Sequence, residues 1–200
     1  MESIQRKSGL QKTYPTMVAD KDDSESDEAL IAAIRNDPAE FSKLYRRYAA
    51  RLYRYLYGRV GNLGDAEDLT SQVFIEVLEA LPRYQAQNKF PAWLFTIARR
   101  RAADYHRNKA STAPMEWLGD LPSSFDDPQA NLITNQALEK LAQLYGSLDE
   151  DKQELLRLRY AAELSYKEIG QLTQRSEAAA GMAIRRILQW LKEHWEAENE

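Results

Sequence analysis

The side chains best equipped for chemistry in this chain are gathered cations, with no nucleophile or metal cluster to rival them. Arg99, Arg100, Arg101, Arg107 and Lys109 crowd one short stretch, and only Asp104 opposes them. A local excess of this kind suits a phosphate backbone; its bland counterpart is a solvated basic helix end. Just upstream, Arg83, Tyr84, Gln85, Gln87, Asn88 and Lys89 bring an aromatic face, amides and cations into one segment. Those are the ingredients for holding an unstacked base, although a plain connection can share the composition. A third basic group, Arg175, Arg185 and Arg186, lies far along the chain. The acids Asp65, Glu67 and Asp68, with Gln72 and Glu76 following, could in principle bind a cation or move a proton. No partner ligands or glycine-rich phosphate loop accompany them, so they read instead as a helix start whose acids complement the helix dipole.

The rest of the composition narrows the classes. The chain has 200 residues, no cysteine and two histidines, His106 and His194. Thiol nucleophiles, disulfides and thiolate zinc sites are therefore excluded, and the histidines, far apart, read as ordinary surface residues. No catalytic residue, cofactor or metal is expected, and the chain is not read as an enzyme. The formal net charge is -4, so any grip on a polyanion must come from where the cations sit. Residues 1–26 are polar and end in an acidic run, which reads as a disordered leader. Neither a secretory signal nor a membrane span is visible, and a cytoplasmic location is expected.

These residues need elements to hold them, and the periodicity supplies helices throughout, with no strand pattern. Asp37, Pro38 and Glu40 mark a helix start. Phe41, Leu44, Tyr45, Tyr48, Leu52, Tyr55 and Leu56 then form one apolar stripe that ends near Gly58 and Gly61. A second helix, N-capped by Asp65, carries Leu69, Val73, Phe74, Val77, Leu78 and Leu81 up to Pro82, and a third opens at Pro91. Three helices and a loop thus close a first domain, 27–108. Residues 109–131 are rich in Ser, Pro and acid and read as a flexible linker, interrupted by Trp117 and Leu118, which are expected to pack on a neighbouring domain. Helical period resumes at Leu132 and defines a second domain, 132–200.

That second domain holds the clearest local motif. Ser165 and Glu168 form a capping box opening a short helix to Thr173; Gln174 and Arg175 turn the chain, and Ser176 caps the next helix. Ala180, Ile184, Ile187, Leu188 and Leu191 make the buried stripe of that helix. At about 100° per residue its opposite face presents Ala178, Met182, Arg185 and Gln189, with Arg186 on the flank and Arg175 just before it. A small-residue start and a cationic outer face suit a recognition helix in a major groove; a plain helical hairpin with solvated arginines is the alternative.

Taken together, these segments resemble the sigma factors of bacterial RNA polymerase, specifically the extracytoplasmic-function group of the sigma-70 family. Phe41, Leu44, Tyr45 and Tyr48 resemble the family's opening helix, 65–74 (DAEDLTSQVF) its polymerase-binding segment, and 90–99 (FPAWLFTIAR) its promoter-melting segment. Leu148, Leu158, Ser165, Tyr166, Glu168, Ile169, Ser176 and Arg186 match its minus-thirty-five reader, while Asp149, Ala178 and Gly181 stand where the family usually has proline, glycine and lysine. The resemblance implies an all-α fold of two small domains, region 2 and region 4. Core polymerase would be held through the outward Asp68, Gln72 and Glu76, beside Asp65 and Glu67. The minus-ten element would be read by Arg83, Tyr84, Gln87, Asn88, Lys89, Arg99, Arg100, Arg101 and Arg107, with Trp93 in the core. The minus-thirty-five element would be read by Arg175, Ser176, Ala178, Met182, Arg185, Arg186 and Gln189. Implied partners are core RNA polymerase, promoter DNA and, by family habit, an anti-sigma factor. Two rivals remain: a helix-turn-helix regulator binding duplex operators without polymerase, and an interaction module that leaves DNA untouched.

Overall fold

A computed structural model describes residues 25–85, 89–109 and 128–197, and every regular element among them is helical. The first unit contains α1 (Asp27–Asn36), α2 (Phe41–Val60), α3 (Leu63–Ala80) and α4 (Phe90–Lys109). It therefore has four helices where the periodicity suggested three. The extra helix is started by Ser26, whose hydroxyl accepts from the Ala29 N–H at 3.2 Å. Leu30, Ile31 and Ile34 bury its apolar side, a stripe too short to stand out after an acidic run. Asp37 caps only a single 3₁₀ turn, Pro38–Glu40, before α2 begins. Asp65 is likewise not the cap of α3: Asn62 Oδ1 accepts from the Asp65 N–H at 3.0 Å, and the helix starts at Leu63.

Helices α2, α3 and α4 pack pairwise around Leu44, Leu52, Leu56, Val73, Val77, Leu94, Phe95 and Ala98, all buried. Each large apolar side chain removed from water contributes about 1.5–3 kcal/mol, so this cluster outweighs any surface pairing in fixing the angles of the three helices. Gly61 lets α2 stop: at φ 69° it occupies the left-handed position that glycine tolerates, and its N–H caps the Tyr57 carbonyl at 2.8 Å. Three residues read as core apolar positions are exposed instead: Tyr45, Leu78 and, in the second unit, Leu188. Periodicity assigns them to a stripe, but they lie at its edge, where they are left largely open to solvent.

The second unit contains α5 (Pro128–Gly146), α6 (Glu150–Leu156), α7 (Tyr166–Thr173) and α8 (Glu177–Ala197). Helix α5 starts four residues ahead of Leu132. The reading that placed Trp117 and Leu118 in a linker falls outside the described residues, as do the leader residues 1–24. Helix α6 continues into a π-helical turn, Arg157–Ala161. The Ser165–Glu168 capping box forms in both directions. Gln174 takes the left-handed conformation at φ 57°, and the Ser176 hydroxyl accepts from Ala179 N–H at 3.1 Å. The turn is tight because Gly170 lets α7 meet it: a Cβ there would lie 2.7 Å from the Arg175 carbonyl oxygen. The two units touch. Helix α2 packs on the π turn and α4 on α7.

Candidate nucleic-acid interface

The outer face of α3 mixes acid with apolar surface. Glu67, Asp68 and Gln72 are exposed, and Ile75 and Leu78 extend that face at 58% and 44% exposure. Exposed isoleucine and leucine beside carboxylates mark a docking surface better than either feature alone. Tyr45, its ring 4.6 Å from that of Phe74, borders the same region. Two of the acids do other work. Asp65 is half-buried and accepts from the Tyr105 hydroxyl, with Lys109 Nζ at 3.4 Å, so it ties the start of α3 to the end of α4. Glu76 is turned towards α4 and ion-pairs with Arg100 and, at 2.7 Å, with Arg101. The expectation that Glu76 points outward is corrected: neighbouring guanidiniums on α4 hold it.

Those pairings also change the basic cluster on α4. Arg100 and Arg101 are already partnered, Arg107 pairs with Asp104 at 2.8 Å, and Arg99 reaches Glu154 of the second unit at 3.2 Å. Exposed ion pairs contribute little, about 0–1 kcal/mol, so a polyphosphate can compete for Arg100 and Arg107 at small cost. Tyr84 is a clearer correction. It is buried, with its ring 4.6 Å from Trp93 and 5.8 Å from Phe90, and its carbonyl accepts from Arg35. A large ring beside two others gains more by joining the core than by waiting in a loop, so it is no stacking platform here. Trp93 is half-buried in that aromatic cluster, as expected. Arg83 and Lys89 are exposed at the flanks, and Gln87 and Asn88 lie outside the described residues.

In the second unit every residue assigned to DNA reading is exposed: Arg175, Ser176, Ala178, Met182, Arg185, Arg186 and Gln189. Ala180, Gly181, Ile184 and Ile187 bury the opposite side of α8. Gly181 does not project outward where the family's lysine would. A Cβ there would meet the Tyr166 ring at 3.5 Å, so the position serves the packing of α8 on α7. Asp149, in place of the family's proline, caps α6 by accepting from Lys152 N–H at 2.9 Å. The side-chain and backbone bonds from Lys152 hold its carboxyl below the usual range.

A charged network between the two units escaped the sequence reading. Glu154 is buried and accepts from the Tyr55 hydroxyl at 2.8 Å; Arg59 lies at 3.1 Å and Arg157 at 3.4 Å. Arg59 and Arg157 also pair with Glu150. Arg51 Nε donates to the Ala162 carbonyl at 2.7 Å, and Arg54 pairs with Glu163. Burial, then the Glu154 charge, pushes the Tyr55 hydroxyl well above its ordinary value, so it stays a donor. Burial opposes the charge of Arg157, yet Glu150, Tyr145 and Glu154 together raise its pKa. His106 belongs to the same seam rather than to the open surface: it is half-buried, with Nε2 2.8 Å from the Arg59 carbonyl. No local pattern signals contacts between residues about a hundred positions apart. Arg99, Glu154, Gln174 and Arg175 line one cleft of about 310 Å³ between the units.

This geometry, a bundle with an acidic–apolar helix face followed by a helix-turn-helix, is that of a sigma factor. Residues 44–112 match the model for Sigma-70 region 2 and residues 138–191 that for Sigma-70, region 4, and the chain belongs to the extracytoplasmic-function sigma factors of the sigma-70 family. It is 31% identical over 167 residues to the ECF RNA polymerase sigma factor BldN of Streptomyces coelicolor, matching 80% of this chain and 62% of that one. It is 34% identical over 150 residues to ShbA of Streptomyces griseus, with 70% and 78% covered. With SigD of Mycobacterium tuberculosis it shares 30% identity over 182 residues, 89% of this chain and 85% of the relative. In overall fold it is similar to CnrH, solved in complex with the cytosolic domain of CnrY, at TM-score 0.63 and 21% identity over 86% of this chain and 99% of that one. As a sigma factor it is a DNA-binding transcription initiation factor that binds core RNA polymerase and directs it to specific promoters. No helix among the described residues is long and apolar enough to cross a membrane.

Proposed function

We propose that the exposed face of α3 holds core polymerase while two separated surfaces read the promoter, so that the chain supplies specificity and the polymerase supplies the chemistry. Residues 27–109 act as the core-binding and minus-ten unit, 128–200 as the minus-thirty-five unit, and 110–127 as the tether between them. Asp68 and Gln72 contact polymerase, with Ile75 and Leu78 as the apolar part of the same footprint, while Asp65 and Glu76 fix α4. Arg83, Gln87, Asn88 and Lys89 approach the opened minus-ten strand; Arg99, Arg100, Arg101 and Arg107 follow its phosphates. The exposed stripe of α8 enters the minus-thirty-five major groove. No residue of the chain forms or breaks a bond in this scheme, and it operates in the cytoplasm, where polymerase and promoter are. An anti-sigma protein is a further partner on the family likeness alone.

The observation that carries this reading is the pairing, in one chain, of an acidic–apolar helix face that no element covers with a fully exposed recognition stripe on α8. The two promoter elements, at minus ten and minus thirty-five, lie about 25 base pairs or about 85 Å apart at 3.4 Å per step. Arg99 and Arg175 line a single cleft. We therefore read the packed arrangement as a resting form that must part on the promoter, with the tether setting the effective concentration of the second contact. Gel shifts of promoter DNA with and without core polymerase test the scheme: retention is expected only when both proteins are present. Tight retention by the chain alone would favour the duplex-operator regulator.

A further inference from the structure

The recognition stripe of α8 is unusual in what it lacks. Read from its start, the stripe runs Ala178, Met182, Arg185, Gln189. Ala178 has no hydrogen-bonding group, and Met182, 49% exposed, has only a weakly accepting thioether. Two polar side chains beside them are already committed, while the exposed Arg175 and Arg186 flank the stripe. The Ser176 hydroxyl caps its own helix at 3.1 Å, and the Gln189 amide donates to Glu193 at 2.8 Å. Gly181, on the same turn, is buried against Tyr166 and offers nothing. Arg185 bonds the Gly181 carbonyl only through Nε, at 3.3 Å, so its terminal nitrogens remain for a base edge.

Resting on the sigma-factor reading above, we infer that the first half of α8 reads the minus-thirty-five element through thymine methyl groups, with Ala178 and Met182 as the specificity-determining residues and Arg185 taking an adjacent guanine. A base edge brought against these two side chains finds no donor or strong acceptor. The one major-groove feature that gains from such a surface is the C5-methyl of thymine; the amino groups and acceptors of the other bases would lose water without replacement. The spacing fits. Four helical residues rise about 6 Å, close to two base steps of 3.4 Å, so Ala178 and Met182 address base pairs one or two steps apart. Arg185, three residues further on, is placed for the O6 and N7 acceptors of a guanine beside them.

The test uses the full chain reconstituted with core polymerase on templates whose minus-thirty-five window is randomised. Selected templates should carry thymine, on either strand, at two positions one or two steps apart, with a guanine beside one of them. Replacing each thymine by deoxyuridine, which removes only the methyl, should lower initiation about fourfold, the factor that one buried carbon group supplies. Met182→Ala should abolish the deoxyuridine effect at one of the two positions, and Met182→Gln should shift that position towards adenine. Both substitutions lie on an exposed surface, so folding is not at stake. Initiation as efficient from deoxyuridine as from thymine templates overturns the inference while leaving the sigma-factor reading intact. Absence of selected start sites altogether overturns both.

Discussion

Changing Tyr55 to Phe removes one oxygen atom and separates the contact between the two units from the stability of each. The Tyr55 ring packs edge-on to Phe95 at 5.4 Å within the first unit, and phenylalanine keeps that contact. Only the 2.8 Å hydrogen bond to Glu154 is lost. A buried hydrogen bond to a charged group contributes about 1.5–3 kcal/mol, which corresponds to a roughly ten- to hundredfold shift from the packed towards the parted arrangement. Arg59 and Arg157 still compensate the Glu154 charge, so the loss should fall near the lower end of that range. Because the chain has no cysteine, dyes can be placed singly at Ser71→Cys on α3 and Lys192→Cys on α8, both exposed positions. Single-molecule energy transfer then reads the populations directly. The Tyr55→Phe protein should show an enlarged low-transfer population, an unchanged melting transition of the first unit, and easier addition to a promoter complex. An unchanged transfer histogram would refute the role given to the Tyr55–Glu154 contact, and a fall in the melting temperature with no separation would assign Tyr55 to the core alone.

Three further outcomes follow from the same structure. Gly170→Ala forces a Cβ to 2.7 Å from the Arg175 carbonyl; overpacking of this kind costs about 1–3 kcal/mol, so thermal unfolding of the second unit should begin earlier and reading of the minus-thirty-five element should weaken. Asp68→Lys or Ile75→Asp should reduce capture by immobilised core polymerase tenfold or more, with stability within about 0.5 kcal/mol of the parent, because both side chains are exposed. Burial works against ionisation of Glu150, but Arg157 and Arg59 outweigh it and hold the carboxyl below its ordinary 4.5. A carboxyl depressed by folding stabilises above its unfolded value and loses that contribution as pH falls through the folded one. Thermal unfolding of the second unit should therefore begin at a lower temperature as the pH falls below about 4.5.

The sequence was most readable where structure is local. The Ser165–Glu168 box, the turn at Gln174 and the cap at Ser176 each depend on side chains within three or four positions of their partners, and all form as read. Apolar periodicity located α2, α3 and α8 but could not say which part of a stripe is covered. That is why Tyr45, Leu78 and Leu188 read as core and Tyr84 as loop. In the first case the cover is at most one-sided, as Phe74 gives Tyr45; in the second, Phe90 and Trp93 close on the ring. The contacts of Glu154 with Tyr55, Arg59 and Arg99 were beyond reach for a different reason. Each side chain alone is an ordinary helix residue, and only the packing of α2 and α4 on the second unit makes them a set. Glu76 belongs to the same class, since its outward or inward turn is decided by Arg100 and Arg101 on another helix.

The most direct test of the account is in vitro transcription by purified core polymerase on a pool of genomic fragments, with the starts mapped by sequencing the 5′ ends of the transcripts. Adding the chain should create a small set of new starts, each preceded by two shared elements at a fixed spacing, and Asp68→Lys should erase the set. A start profile identical with and without the chain would contradict the account.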